Sequence, residues 1–126
     1  MDYQTPLAKV RGLGSAKAGT GHFWMQRITA ITLIPLSLWM VYFTEQLLTA
    51  THGEIVAWLS GPLDTILALA WVIAAFYHAA LGLQVVIEDY VHTDWMKISS
   101  IWLMKLTFLF FAIAAIVAIF RISTIA

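Results

Sequence analysis

Within residues 76–92, FYHAALGLQVVIEDYVH, two groups of side chains have the chemistry to do work. The first is the imidazole of His78. The second is the pair of carboxylates on Glu88 and Asp89, with the phenol of Tyr90 beside them. A neutral imidazole ligates transition metals and carries protons near neutral pH. A phenol can donate a hydrogen bond to a carbonyl oxygen while a neighbouring carboxyl group takes up and passes on protons, as reduction of a quinone requires. Between the groups, residues 79–87 are apolar apart from Gln84.

On a helix these spacings become distances. His78 precedes Glu88 by ten residues, roughly 15 Å at 1.5 Å per residue. Asp89 falls within about 20° of the His78 face at 100° per residue, with Tyr90 on the adjacent face. Ala74, His78 and Gly82 form an i, i+4, i+8 ridge with Ala75 alongside, so the stripe around the imidazole is small. Such a stripe permits close helix–helix contact, with the histidine neutral and hydrogen-bonded across the interface. It equally makes a flat recess where a porphyrin lies on the backbone while the imidazole reaches the iron. Spacing leaves both readings open. His92, fourteen positions beyond His78, would be about 40° round an ideal helix and could take a second metal. It follows the charged pair, however, where a wet interface is expected. His22 and His52 read as surface residues at a membrane boundary and in a loop.

The elements that carry these groups follow from composition. Of 126 residues, 61% are hydrophobic and 11% charged, against about 45–50% and about 25% in ordinary globular domains. Three long apolar windows predict an all-α membrane protein with three transmembrane helices, at 24–48, 63–90 and 98–122, in one domain spanning 23–126. Each window approaches the roughly 20 residues that cross a bilayer core about 30 Å thick, and none alternates with period two as a barrel strand would. A histidine ten residues inside such a helix sits near mid-depth, where an ionisable side chain is costly and faces a bundle interior. Pro35 is expected to bend the first helix as a packing kink. Ser60-Gly61-Pro62 closes the loop of residues 49–64 and starts the second helix, proline being tolerated in the first turn.

Residues 1–22 form a basic arm, to be retained because it lacks an apolar stretch before a small-residue cleavage site. Lys9, Arg11, Lys17 and Arg27 lie at this end, none lies in the loop 49–64, and Lys97 and Lys105 follow the second helix. The positive-inside rule then puts the N-terminus in the cytoplasm and the C-terminus outside, with Arg121 a lone dissent. Trp24, Trp58, Trp95 and Trp102 fall near helix ends as interface anchors. GLGSAKAGTG, residues 12–21, has glycines and a lysine but not the order of a phosphate-binding loop, so a cationic arm near lipid phosphates or a docked protein is the better reading. No nucleic-acid role is indicated. The absence of cysteine excludes thiolate zinc and cysteine-ligated iron–sulfur sites from this chain.

The basic arm, Arg27 opening the first of three helices, and His78-x-x-x-Gly82-x-x-x-x-x-x-Asp89-Tyr90 across the second together resemble the smaller hydrophobic membrane-anchor subunit of succinate dehydrogenase, respiratory complex II. The resemblance covers most of the chain in layout and is specific at those four motif positions. It implies a hetero-oligomeric helix bundle in which a second, cytochrome b-like hydrophobic anchor subunit packs against this one. One histidine from each subunit would ligate a shared haem b, His78 here, with Gly82 packing on it. Tyr90 would hydrogen-bond ubiquinone, Asp89 would shape that site and its proton supply, and Arg27 would lie near the quinone pocket or haem propionates. FAD and iron–sulfur clusters would belong to flavoprotein and iron–sulfur partner subunits on the cytoplasmic face of a bacterial inner membrane. Glu88 beside Asp89 departs from the simplest pattern, so either carboxylate is a candidate for protonation. Two other classes stay open. In a proton-conducting or transporter subunit, His78 and Asp89 would form a relay, though residues 65–77 offer only the hydroxyls of Thr65 and Tyr77 to extend it. In a haem-free structural anchor, His78 would only pack.

Overall fold

The computed structural model describes residues 5–12 and 19–125. Lys17 and most of the glycine-rich stretch of the arm lie outside them. The described residues form five helices: α1 (Pro6–Val10), α2 (Gly19–Leu47), α3 (His52–Leu59), α4 (Pro62–Tyr90) and α5 (Asp94–Ile125). Of these, α2, α4 and α5 are long and apolar enough to cross a membrane. Alternating direction follows from the short connections, so the start of α2, the end of α4 and the start of α5 share one end of the bundle. The middle helix, α4, packs on α2 and on α5.

Two starts come earlier than hydropathy predicts, at Gly19 and Asp94. Two glycines, Gly19 and Gly21, fall in the first turn of α2. Gly21 and the half-buried His22 form part of the wall of a cleft shared with α4 and α5. At the head of α5, Asp94 lies in the first turn, where a carboxylate complements the exposed N–H groups.

The segment expected to be a loop, 49–64, contains α3. Thr51 caps it with a reciprocal pair of bonds: the Glu54 N–H donates to Thr51 Oγ1 (3.4 Å), and the Thr51 N–H donates to Glu54 Oε2 (2.7 Å). These satisfy two of the helix's otherwise orphaned donors. Trp58, read from the sequence as an interface anchor, is half-buried. Its ring stacks on Phe43 (centroids 4.4 Å apart) and lies 5.7 Å from Trp39, tying α3 to α2. Trp24, Trp95 and Trp102 are exposed. At Gly61 the turn into α4 is tight, because a Cβ would lie 3.1 Å from the Trp58 carbonyl and 3.2 Å from the Asp64 carboxylate, so either neighbour would have to give by a few tenths of an ångström. Pro62 follows at the head of α4, where its missing N–H costs nothing.

The core is thin. Leu36, Leu59, Ala68, Val72 and Leu81 are buried, Thr29 is the buried polar residue among those described, and α5 contributes none. Phe76 meets Phe108 edge to face across α4 and α5 (5.9 Å), and Trp39 Nε1 donates to Asp64 Oδ1 (3.3 Å) between α2 and α4.

Candidate functional site

A polar contact at the buried Thr29 joins α2 to α4. His78 Nδ1 lies 2.9 Å from Thr29 Oγ1, a link between residues 49 positions apart. The same hydroxyl lies 2.7 Å from the Met25 carbonyl and 3.1 Å from that of Gln26. The other ring nitrogen, Nε2, has no hydrogen-bond partner among the described residues, and it is not one of the buried unpartnered atoms, which are His22 Nε2, Gln26 Oε1 and Trp71 Nε1. The imidazole is thus held at one nitrogen and open at the other. One turn on, Gly82 faces α2: a Cβ there would meet Gln26 Nε2 at 3.5 Å, an ordinary contact. Within this chain, packing alone does not demand glycine at that position.

Asp89 and Tyr90 close α4 some three turns away, about 17 Å from His78. Tyr90 is 78% exposed. Glu88 accepts a hydrogen bond from Gln84 Nε2 (2.8 Å), whereas the exposed Asp89 carboxylate has no partner among the described residues. The two neighbouring acids therefore differ: one is tied along its own helix and one is available.

Arg27 is exposed, with its guanidinium 5.1 Å over the Phe23 ring, an attraction between cation and ring face. It sits about 160° round α2 from Thr29, so the described fold does not bring it to His78. His92 lies beyond the last residue of α4, with Nδ1 3.1 Å from the Tyr90 carbonyl. The helical arithmetic that would align it with His78 does not reach it. No three His, Asp or Glu side chains gather to hold a metal ion among the described residues.

Sequence reasoning missed two residues, Thr29 and Gln84. The Gln84–Glu88 spacing of four was a readable signal. It also missed a cleft of about 690 Å³ between α2, α4 and α5, with apolar walls from Met25, Phe76 and Phe108 and polar groups His22, Gln84 and Lys105. This cleft does not include His78, Asp89 or Tyr90.

Residues 1–120 match the family described as succinate dehydrogenase/fumarate reductase transmembrane subunit. The chain belongs to this family. It is 40% identical over 119 residues to the succinate dehydrogenase hydrophobic membrane anchor subunit of Rickettsia bellii, covering 94% of this chain and 95% of the relative. The Rickettsia conorii anchor subunit is 34% identical over 120 residues, with the same coverage. That of Paracoccus denitrificans is 26% identical over 102 residues, covering 81% of this chain and 79% of the relative. Membership of the anchor-subunit family accords with three apolar spanning helices and makes the chain a membrane component of a succinate dehydrogenase.

Proposed function

We propose that this chain tethers the flavoprotein and iron–sulfur subunits of succinate dehydrogenase to a bacterial inner membrane, supplies one axial ligand of a haem b, and helps form the ubiquinone-reducing site. The observation that carries the ligand reading is the state of His78: one ring nitrogen is engaged by Thr29 and the other is unpartnered and open. Metal-bound histidines characteristically have their second nitrogen hydrogen-bonded in this way. The donor set fits a haem shared between two subunits, since this chain offers one imidazole at mid-span and the second axial ligand would come from the partner anchor. When bound, the haem supplies a one-electron redox centre between the subunits.

At the end of α4, the Tyr90 hydroxyl is free to donate to a quinone carbonyl. Reduction of the quinone to quinol takes two electrons and two protons; the electrons come from succinate through the partner subunits' FAD and iron–sulfur clusters. Asp89, rather than Glu88, is the carboxylate free to pass those protons, because Glu88 is engaged by Gln84. Four basic residues at the N-terminal end and none in 49–64 support a cytoplasmic N-terminus and a periplasmic C-terminus. That orientation turns Asp89 and Tyr90 towards the side where the soluble subunits dock.

The test is a reduced-minus-oxidised optical spectrum of the intact complex and of its His78→Ala form. Loss of the low-spin b-type bands in the variant is expected. Bands that persist unchanged would remove His78 as ligand and favour a packing histidine.

A further inference from the structure

We propose that Thr29 is a positioning residue for the iron-ligating imidazole: its hydroxyl oxygen accepts the Nδ1 proton of His78, and so fixes the tautomer that leaves Nε2 with a lone pair for the metal. This rests on the reading of His78 as a haem ligand.

A threonine hydroxyl has one hydrogen and lone pairs that accept. Thr29 Oγ1 has three oxygen or nitrogen neighbours at bonding distance: the Met25 carbonyl at 2.7 Å, the Gln26 carbonyl at 3.1 Å and His78 Nδ1 at 2.9 Å. Neither carbonyl can donate. Were the single hydrogen directed to Nδ1, two oxygens 2.7 Å apart would face each other with lone pairs only. Directed to Met25, it makes the four-residue back-bond ordinary for threonine in a helix, and the contact to Nδ1 must then be filled by a hydrogen from the ring. The imidazole consequently carries its proton on Nδ1 and a lone pair on Nε2, before anything binds there. Thr29 is 92% shielded within the α2–α4 interface, its relative exposure being 8%. Water therefore does not compete easily for the bond.

An oxygen accepting from Nδ1–H increases the electron donation of the opposite nitrogen, and removing such a partner typically weakens metal retention about 10–100-fold. Stronger donation favours the oxidised iron. Loss of the hydroxyl should therefore raise the midpoint potential of the haem as well as loosen it.

The test uses the complete membrane complex carrying Thr29→Val, Thr29→Ser or His78→Ala. Haem per complex is measured by pyridine haemochrome, and midpoint potential by optical redox titration. Thr29→Val, isosteric but without the hydroxyl, should lose haem about tenfold or more readily on detergent extraction, and the haem that remains should titrate at a more positive potential. Thr29→Ser should match the parent in both. Thr29→Ala carries the same expectation as valine, so a valine complex that fails to accumulate leaves the test in place. Parent-like haem content and potential in both valine and alanine variants, with haem lost from His78→Ala, would overturn the role of Thr29 and leave the ligand reading standing. Equal loss in the serine and valine variants would overturn it in favour of packing. A b-type spectrum surviving in His78→Ala would overturn both.

Discussion

His78 and Tyr90 stand in different surroundings although one helix carries both, and the proposed function gives them different work. His78 is half-buried and hydrogen-bonded across an interface, while Tyr90 is 78% exposed at the last turn of α4. Tyr90→Phe keeps the ring and deletes one hydroxyl. A net hydrogen bond of about 0.5–1.5 kcal/mol corresponds to roughly a tenfold change at its upper end, so quinone reductase activity should fall by about that factor. Succinate oxidation with a soluble artificial dye should be unchanged; equal loss in the two assays would instead signal failed assembly. Asp89→Asn should lower quinone reduction more than Glu88→Gln, because Glu88 is already engaged by Gln84 at 2.8 Å. Comparable quinone reductase rates in the two variants would contradict that ordering. His78, Asp89 and Tyr90 were legible in the sequence because ionisable side chains stand out in an apolar window. Thr29 was not. Threonine is unremarkable in a membrane helix, and only the register of α2 against α4, set by packing at residues such as Leu36, Ala68 and Val72, puts its hydroxyl opposite the imidazole.

Among the elements, α3 shows where reading by hydropathy stops. The three spans announce themselves by length and apolarity, but α3 has eight residues, and its signal is the capping box of Thr51 and Glu54 rather than a window of greasy residues. The Glu54 carboxyl is held below its ordinary 4.5, first by the Thr51 backbone N–H and then by the Thr51 hydroxyl. A carboxylate depressed in the folded state contributes stability that is present above its unfolded value and lost as pH falls through its folded value. Backbone amides of residues 52–59 should therefore exchange faster with deuterium as pH drops from about 5 to about 3, after correction for intrinsic exchange. Glu54→Ala should show the faster exchange already at neutral pH. Protection independent of pH across this range would contradict the cap. On the inner side of α3, Trp39→Phe deletes the Nε1 bond to Asp64 while keeping much of the stack with Trp58. A loss of about 1 kcal/mol in unfolding free energy is expected from denaturant titration.

For the whole molecule, the thin core is the governing fact. Among the described residues five hydrophobic side chains and Thr29 are buried, and the apolar window of α5 has no buried residue, its inner face being only half-buried. Helix association in lipid gains little from hydrophobicity and depends on packing and interhelical hydrogen bonds, so further subunits would add a large share of the stability. The chain alone in mild detergent should melt about 10 °C or more below the same chain in its complex, a shift of the size that saturating partners produce. Equal melting temperatures would mean that the three helices suffice.

The hydrogen-bonding contact between His78 and Thr29 spans 49 positions of sequence, yet both residues belong to the first two spanning helices. During synthesis, neither helix can orient the imidazole until the other has entered the bilayer, and α5 is not required. Both partners of the contact thus lie ahead of the last 32-residue helix in the chain, so the pairing of Thr29 with His78 needs only the first two spans.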